Sequence, residues 1–406
     1  IDHDWFAKLS VELTEEMAEL REEICSYIPP EKLDEFIARF GIEDDDSDLP
    51  MNVDSPDQLA KLMFDVLGIG SSRNLKMTPS GSRISTGKKQ IEVIKHEHPL
   101  VPKVLQYRER AKLKSTYTDS LPRMAKFHPA SSCWCNIPHP FGSWRVHPQI
   151  SSTRTTTGRF AHKDPNLANV PARTDLGRRV RQGFIPADGC ELASADFSQF
   201  EMRIGGHYSQ DPNLMRIFLN DLDPHSDTAI RAFRKTLEEV STGQGRMLYR
   251  DPCKNCNFSI FYGITARGLY DLMAVTYATA KMPMPDWLAI DWCGDFIKQW
   301  FQLYPGVQDY LDQQYYRAGR YGIVWTLFGR IRRVPEVRSV HDRVVSAGLR
   351  QAGNMPIQGS QADLLKLAMA QIQDEVVEEM RRQGIWCWPV NTVHDEVLLE
   401  VEQGYG

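Results

Sequence analysis

No apolar run in this chain approaches the ~20 residues that a membrane-spanning helix needs, so no membrane partner is expected. The first residues show no basic-then-apolar pattern of a secretory leader. The chain starts at Ile1 rather than Met, so it reads as an excised piece of a longer protein. Cysteine is sparse, with eight residues scattered outside any disulfide framework, which fits a reducing, cytoplasmic setting. No internal repeat is visible. Net positive charge is missing too: 48 Lys and Arg face 53 Asp and Glu, a balance of −5. An even distribution would argue against a polyanionic partner, but the distribution is uneven. From Arg73 to Lys114 eleven Lys/Arg stand against three Glu, and from Arg154 to Phe184 seven stand against two Asp. Negative charge gathers elsewhere, as in Glu43–Asp48. The two basic blocks suit sequence-independent contacts to phosphates, with plain solvated faces as the alternative.

What the chain does have is Arg250-Asp-Pro-Cys-Lys254-Asn-Cys-Asn-Phe258-Ser-Ile-Phe-Tyr262-Gly263. Arg250, Lys254, Phe258 and Tyr262 recur every fourth residue. On a helix they form one slowly drifting stripe about 18 Å long. Two cations precede two flat rings, and a glycine can end the helix. Cations suit a polyphosphate tail and rings suit a base, so the stripe reads as a nucleoside triphosphate cradle. An amphipathic core helix with two solvated cations is the competing reading.

Two carboxylate segments add weight to the first reading. In Glu191-Leu-Ala-Ser-Ala-Asp196, a strand of small residues gives way to a turn at Asp196. In Trp388-Pro-Val-Asn-Thr-Val-His394-Asp395-Glu396-Val-Leu-Leu, β-branched and aliphatic residues flank a charged tip, as in a β-hairpin. An Asp at a strand end and an Asp at a hairpin tip can converge on one point. Together they can bridge two magnesium ions and stabilise in-line phosphoryl transfer. Either Asp alone would more simply be a cap or a turn residue.

In this order the three segments resemble the family A DNA polymerases. Asp196-Phe-Ser-Gln199-Phe-Glu201-Met-Arg203 resembles that family's motif A, Arg250–Gly263 its motif B, and His394-Asp395-Glu396 its motif C. Thr157-Gly158-Arg159 with Pro165-Asn166-Leu167-Ala168-Asn169, Asp223-Pro-His225, Thr326–Arg330 and Asn354–Asp363 are similar to further landmarks of that family. Tyr107–Tyr117 resembles its thumb helix. The resemblance spans nearly all 406 residues.

The resemblance implies an α+β right-hand polymerase fold, with an antiparallel-sheet palm and helical fingers and thumb. The thumb and the start of the palm would cover 1–125, and the first palm part, with motif A, 126–207. The fingers, with motif B, would cover 208–356, and a second palm part, with motif C and an apparently early stop, 357–406. The implied activity is extension of a primer 3′-hydroxyl with deoxynucleoside triphosphates (dNTPs) on a DNA template. Two Mg²⁺ ions would assist, with Mn²⁺ able to substitute. Asp196 and Asp395 would hold the metal, with Glu396 tuning the site. Lys254 would contact the triphosphate and could protonate the pyrophosphate. Arg250 and His225 would hold the outer phosphates. Gln199, Phe258 and Tyr262 would line the nucleotide site, and Glu201 would exclude a ribose 2′-hydroxyl. Lys112, Lys114, Arg159, Asn166, Asn169, Gln358 and His394 would contact primer–template DNA.

A monomer acting in a nucleoid or at a viral replication site is expected. No exonuclease region precedes the thumb, so proofreading is not expected of this chain. A catalytically impaired DNA-binding fragment and a single-subunit RNA polymerase remain as other readings. Departures from the family pattern are Phe197 for the usual Tyr, Phe200 for an aliphatic residue, and Pro252 in the first turn of the stripe helix. Cys253 and Cys256 read as packing. The segment His128–His147, with Cys133, Cys135 and His139, carries zinc-ligand residue types, but its spacing fits no standard zinc site.

Locally, residues 5–28 read as one amphipathic helix ended by Pro29-Pro30, and 42–56 as an acidic surface loop. Residues 57–67 and 99–117 read as helices, and 126–196 as short strands. Mostly helix is expected from 208 to 356, and a helix followed by the hairpin after 357.

Overall fold

A computed structural model describes residues 1–406 except 41, 45–46, 72–74, 131–141, 173 and 280–281, and the side chains of 42–44, 47–48 and 278–279. Helices dominate, and the strands form small separate sheets, an α+β architecture. Chain contacts divide it into two compact units, residues 1–149 with 164–190, and residues 150–163 with 191–406.

The first unit is built on the helix His3–Cys25. Phe6, Leu9, Leu13, Met17, Leu20 and Ile24 recur every third or fourth residue, so they share one face, and all are buried. Asp2 caps this helix by accepting from the amide of Trp5 at 2.9 Å. Its buried face meets Val104 and Tyr107 of the helix Leu100–Leu113 in one part and Leu113 and Tyr117 in another. The Tyr107 hydroxyl donates to Asp54 at 2.7 Å and accepts from Arg21 at 3.0 Å, so this buried ring keeps its polar end satisfied. The break at Pro29-Pro30 is present, and one local expectation, the loop over 42–56, fails. The chain after Pro29 forms a second helix, Pro30–Phe40, because Pro30 occupies the first helical position, where its missing N–H costs nothing. The expected loop beyond it contains a short antiparallel pair, Ile42–Asp44 with Ser47–Leu49.

The second unit holds a three-stranded sheet in which Glu396–Glu402 lies between Cys387–Val393 and Cys190–Asp196. Its largest core is helical. Cys253, Cys256, Ile260 and Phe261 pack there with Met273, Tyr277, Cys293, Phe296, Trp300 and Tyr304. The helix Asp342–Gln371 runs 30 residues, about 45 Å, across the expected fingers–palm division at 356/357. It continues through Pro356, whose carbonyl accepts from the Ser360 hydroxyl at 2.6 Å.

Candidate active site

The strand Cys190–Asp196 brings Asp196 to its exposed end. His394 and Asp395 form the two-residue turn between Val393 and Glu396, which are partners in the hairpin register. His394 takes the left-handed conformation there, at φ +59°. The Ser194 hydroxyl donates to the Glu396 carboxylate at 2.5 Å, which ties the Asp196 strand to the foot of the turn. Burial raises the Asp395 carboxyl above its ordinary range, and the Asp196 charge pushes it the same way. Neither carboxylate has an ion-pair partner among the described residues.

Glu201 stands on the first turn of the helix Phe200–Ser209. It is largely buried, and burial together with the Asp395 charge pushes its carboxyl up to about 7. Two donors oppose that push by favouring the charged form: the Arg159 guanidinium and the Tyr262 hydroxyl both bond to it. Arg159 also donates through Nε to Gln361 at 3.2 Å. Burial lowers the Arg159 guanidinium from its ordinary value, and the Asp395 charge works against that. Arg159, Glu201, Tyr262 and Gln361 thus form one hydrogen-bonded cluster.

The loop carrying Arg159 is clasped from the long helix and its neighbours. Arg330 donates to the carbonyls of Thr157 at 2.7 Å and Gly359 at 2.9 Å, and its Nε bonds Asp363 at 2.9 Å. Lys366 donates to the Gly158 carbonyl at 2.7 Å. Gly158 sits at φ +82°, and a Cβ there would fall 2.8 Å from the Arg330 guanidinium, so only glycine fits this approach. Gln361, Arg330, Asp363 and Lys366 received no role from the sequence. Arg330, Gln361 and Asp363 lie within the landmark segments Thr326–Arg330 and Asn354–Asp363, whereas Lys366 lies outside both.

The stripe helix spans Asp251–Phe261, and the helical turn Arg246–Arg250 runs straight into it. Arg250 therefore has helical dihedrals despite Pro252. Its guanidinium bonds Asp223 at 2.8 Å and Asp251 at 3.1 Å. Burial alone would raise the Asp223 carboxyl, but bonds from Ser226 and Arg250 outweigh it and hold the carboxyl below its ordinary range. Lys254 is exposed, Phe258 and Tyr262 are half-buried, and Gly263 follows at φ +72°. The opposite face buries Cys253 and Cys256 as free thiols, the packing role expected for them. Phe197 and Phe200 stack at 4.2 Å, and Gln199 takes φ +53° at the start of its helix.

His225 was expected on the outer phosphates; its ring is 3% exposed. The Trp300 indole N–H donates to Asn257 Oδ1 at 2.9 Å, which turns the Asn257 amide N–H₂ toward His225 Nδ1 at 3.1 Å. Nδ1 therefore accepts, and a proton there would set donor against donor. Burial is the main cause that lowers the ring to about 4, and Arg250 and Lys254 add to it.

Among the remaining predicted residues of the second unit, Gln358 is half-buried on the long helix and His394 is exposed at the turn. Lys112, Lys114, Asn166 and Asn169 belong to the first unit. Lys112, Asn166 and Asn169 are exposed. Lys114, also expected on the DNA, pairs with Asp119 at 2.9 Å and bonds Ser10 at 3.1 Å. Cys133, Cys135 and His139 lie outside the described residues. No helix of the described residues is long and apolar enough to cross a membrane.

The model of DNA polymerase family A matches residues 3–405. The chain belongs to DNA polymerase family A. It is 35% identical over 400 residues to the thermostable DNA polymerase I of Thermus aquaticus, covering 98% of this chain and 41% of that protein. It is 32% identical over 400 residues to DNA polymerase I of Deinococcus radiodurans, covering 98% of this chain and 36% of that one. The chain thus spans about two fifths of the length of the curated relatives it matches. Among solved structures it is similar to the POL domain of Pol1 from M. smegmatis in complex with DNA primer-template and dNTP. That match has a TM-score of 0.77 and 29% identity, over 100% of this chain and 61% of that one. The α+β polymerase-domain fold expected from the sequence is borne out.

Proposed function

We propose that this family A chain is a DNA-directed DNA polymerase domain that extends a primer 3′-hydroxyl with dNTPs. The bond from Ser194 to Glu396 at 2.5 Å, which sets the Asp196 strand against the foot of the turn carrying Asp395, carries this reading. The similar M. smegmatis domain is described with primer-template and dNTP, and the same ligand pair is proposed here.

The residues fit a hard divalent cation. Two carboxylates with no ion-pair partner among the described residues supply anionic oxygens. Magnesium is commonly held by one or two carboxylates together with substrate phosphates. Asp196 and Asp395 would hold a pair of Mg²⁺ ions, with Mn²⁺ serving in their place. When bound, the ions stabilise charge on the attacking and leaving oxygens.

The remaining roles belong to the chain itself. Exposed Lys254 contacts the triphosphate and supplies a proton to the departing pyrophosphate. Arg250 exchanges Asp223 for a phosphate oxygen, a trade between two anionic partners. Gln199 and Phe258 line the nucleotide site, and Phe258 stacks on the base or sugar. Glu201 blocks a 2′-hydroxyl while Arg159 and Tyr262 fix its carboxylate. Glu396 steadies the turn through Ser194. Gln358, His394, Lys112, Asn166 and Asn169 are assigned to the DNA, along with Arg159. His225 contributes as a neutral wall behind Phe258, at a ring distance of 5.8 Å, rather than as a cation.

Primer extension with Mg²⁺ tests the proposal. Asp196→Ala is expected to lose at least about a thousandfold in rate, the scale of several kcal/mol of transition-state charge stabilisation. Extension by that variant at the wild-type rate would overturn it.

A further inference from the structure

The hairpin that carries Asp395 leaves one backbone group in need of a partner. Val393 and Glu396 flank the two-residue turn and form its closing hydrogen-bonded pair. Thr392, opposite Val397, is therefore a non-hydrogen-bonded position, and its carbonyl turns away from the partner strand. The strand Cys387–Val393 is an edge of its sheet, so no further strand of that sheet meets this carbonyl. Thr392 is 3% exposed, and a buried carbonyl without a partner is costly.

His162, in the same unit, supplies that partner. It is the middle residue of the strand Ala161–Lys163 and the buried one, at 8% exposed. Its two neighbours lie on the other face, as strand alternation requires. The His162 ring bonds to the Thr392 carbonyl. Nδ1 makes no hydrogen bond, which leaves Nε2 as the donor. Burial, then the His394 charge, lower the ring from its ordinary value, and the Thr392 bond opposes them.

Thr392 is thus held at both of its polar groups. Its hydroxyl donates to the Glu396 carbonyl across the turn at 2.9 Å, and its own carbonyl accepts from His162. The segment just before His162 is itself braced, since Arg330 and Lys366 grip the carbonyls of Thr157 and Gly158. Only Val393 separates Thr392 from the turn His394–Asp395, so a shift at Thr392 passes directly to Asp395.

We propose that His162 is a positioning residue for the polymerase reaction, fixing the turn that carries Asp395 through the Thr392 carbonyl. The inference rests on the polymerase reading given above. His162 touches neither nucleotide nor metal in this role. It stands in for the missing neighbour strand at the sheet edge, where the turn would otherwise be held from one side only.

Primer extension over a range of dNTP concentrations, together with Mn²⁺ titration followed by electron paramagnetic resonance, tests the role in the whole chain. His162→Leu should lower kcat and weaken Mn²⁺ binding at least about tenfold each, the loss that removing an outer partner of a metal ligand brings. The dNTP KM should stay within about twofold, because the turn is not assigned to the base or the triphosphate. His162→Gln carries an amide N–H₂ about as far as Nε2 and should recover most of both losses. His162→Asn is one methylene shorter and should not. Wild-type kcat and Mn²⁺ affinity in His162→Leu would overturn the proposal, as would a Gln variant no better than the Leu variant. If His162→Leu fails to fold, the contrast between Gln and Asn decides, and equal losses in both would overturn it. A wild-type chain that extends no primer would instead sink the polymerase reading, while the Gln–Asn contrast in Mn²⁺ affinity would still report on this contact.

Discussion

At the residue scale, Glu201 carries the most chemistry per atom. Its carboxylate is held by Arg159 and Tyr262 and lies within the field of Asp395. Glu201→Ala removes the bulk assigned to excluding a 2′-hydroxyl, so ribonucleotide incorporation should rise relative to deoxynucleotide incorporation. Paired extension assays measure that ratio, and an unchanged ratio would remove the assignment. His225 gives a pH prediction. Its ring titrates at about 4 in the fold against an ordinary 6.5, so the unfolded chain binds the proton more readily between those values. The neutral ring therefore stabilises the fold above pH 6.5, and this contribution, about 3 kcal/mol, is lost as pH falls through 4. Denaturation midpoints from pH 7 to pH 4.5 should fall more steeply for the wild type than for His225→Gln. Equal slopes would contradict the buried neutral ring. Of these two residues, Glu201 could be placed from its motif alone. His225 could not, because its neutrality depends on Trp300, 75 positions away in the chain, orienting Asn257.

At the scale of elements, the stripe helix was legible because its four residues share one periodicity and its other face is apolar. The motif hairpin was legible because β-branched residues flank a charged tip. The helix Pro30–Phe40 was not, since a double proline suggests a break while Pro30 in fact starts a helix. The clasp on Thr157-Gly158-Arg159 was also hidden. It joins residues about 170 to 210 positions apart through backbone carbonyls, which carry no side-chain signature. Its strength can be tested. Arg330→Ala would strand Asp363, whose side chain is 13% exposed, and should destabilise the second unit by roughly 3 kcal/mol. Adding Asp363→Asn should recover part of that loss by removing the orphaned charge. Urea unfolding measures both, and a loss under about 0.5 kcal/mol for Arg330→Ala, the range of ordinary surface changes, would show that the clasp is not structural.

At the scale of the molecule, family membership and the α+β fold were readable because three ordered motifs and several landmarks run the length of the chain. The division into two units was less readable. Residues 150–163, which carry Arg159, leave the first unit for the second and return, and local composition does not mark that excursion. The meeting of Asp196 and Asp395 depends on the sheet order, which places the hairpin beside a strand about 200 residues earlier. That meeting is the central claim. The most direct test counts Mn²⁺ bound per chain by electron paramagnetic resonance, with primer–template and a dNTP present. Two ions are expected for the wild type and fewer for Asp196→Asn and for Asp395→Asn. Equal occupancy in all three proteins would contradict a shared cation site.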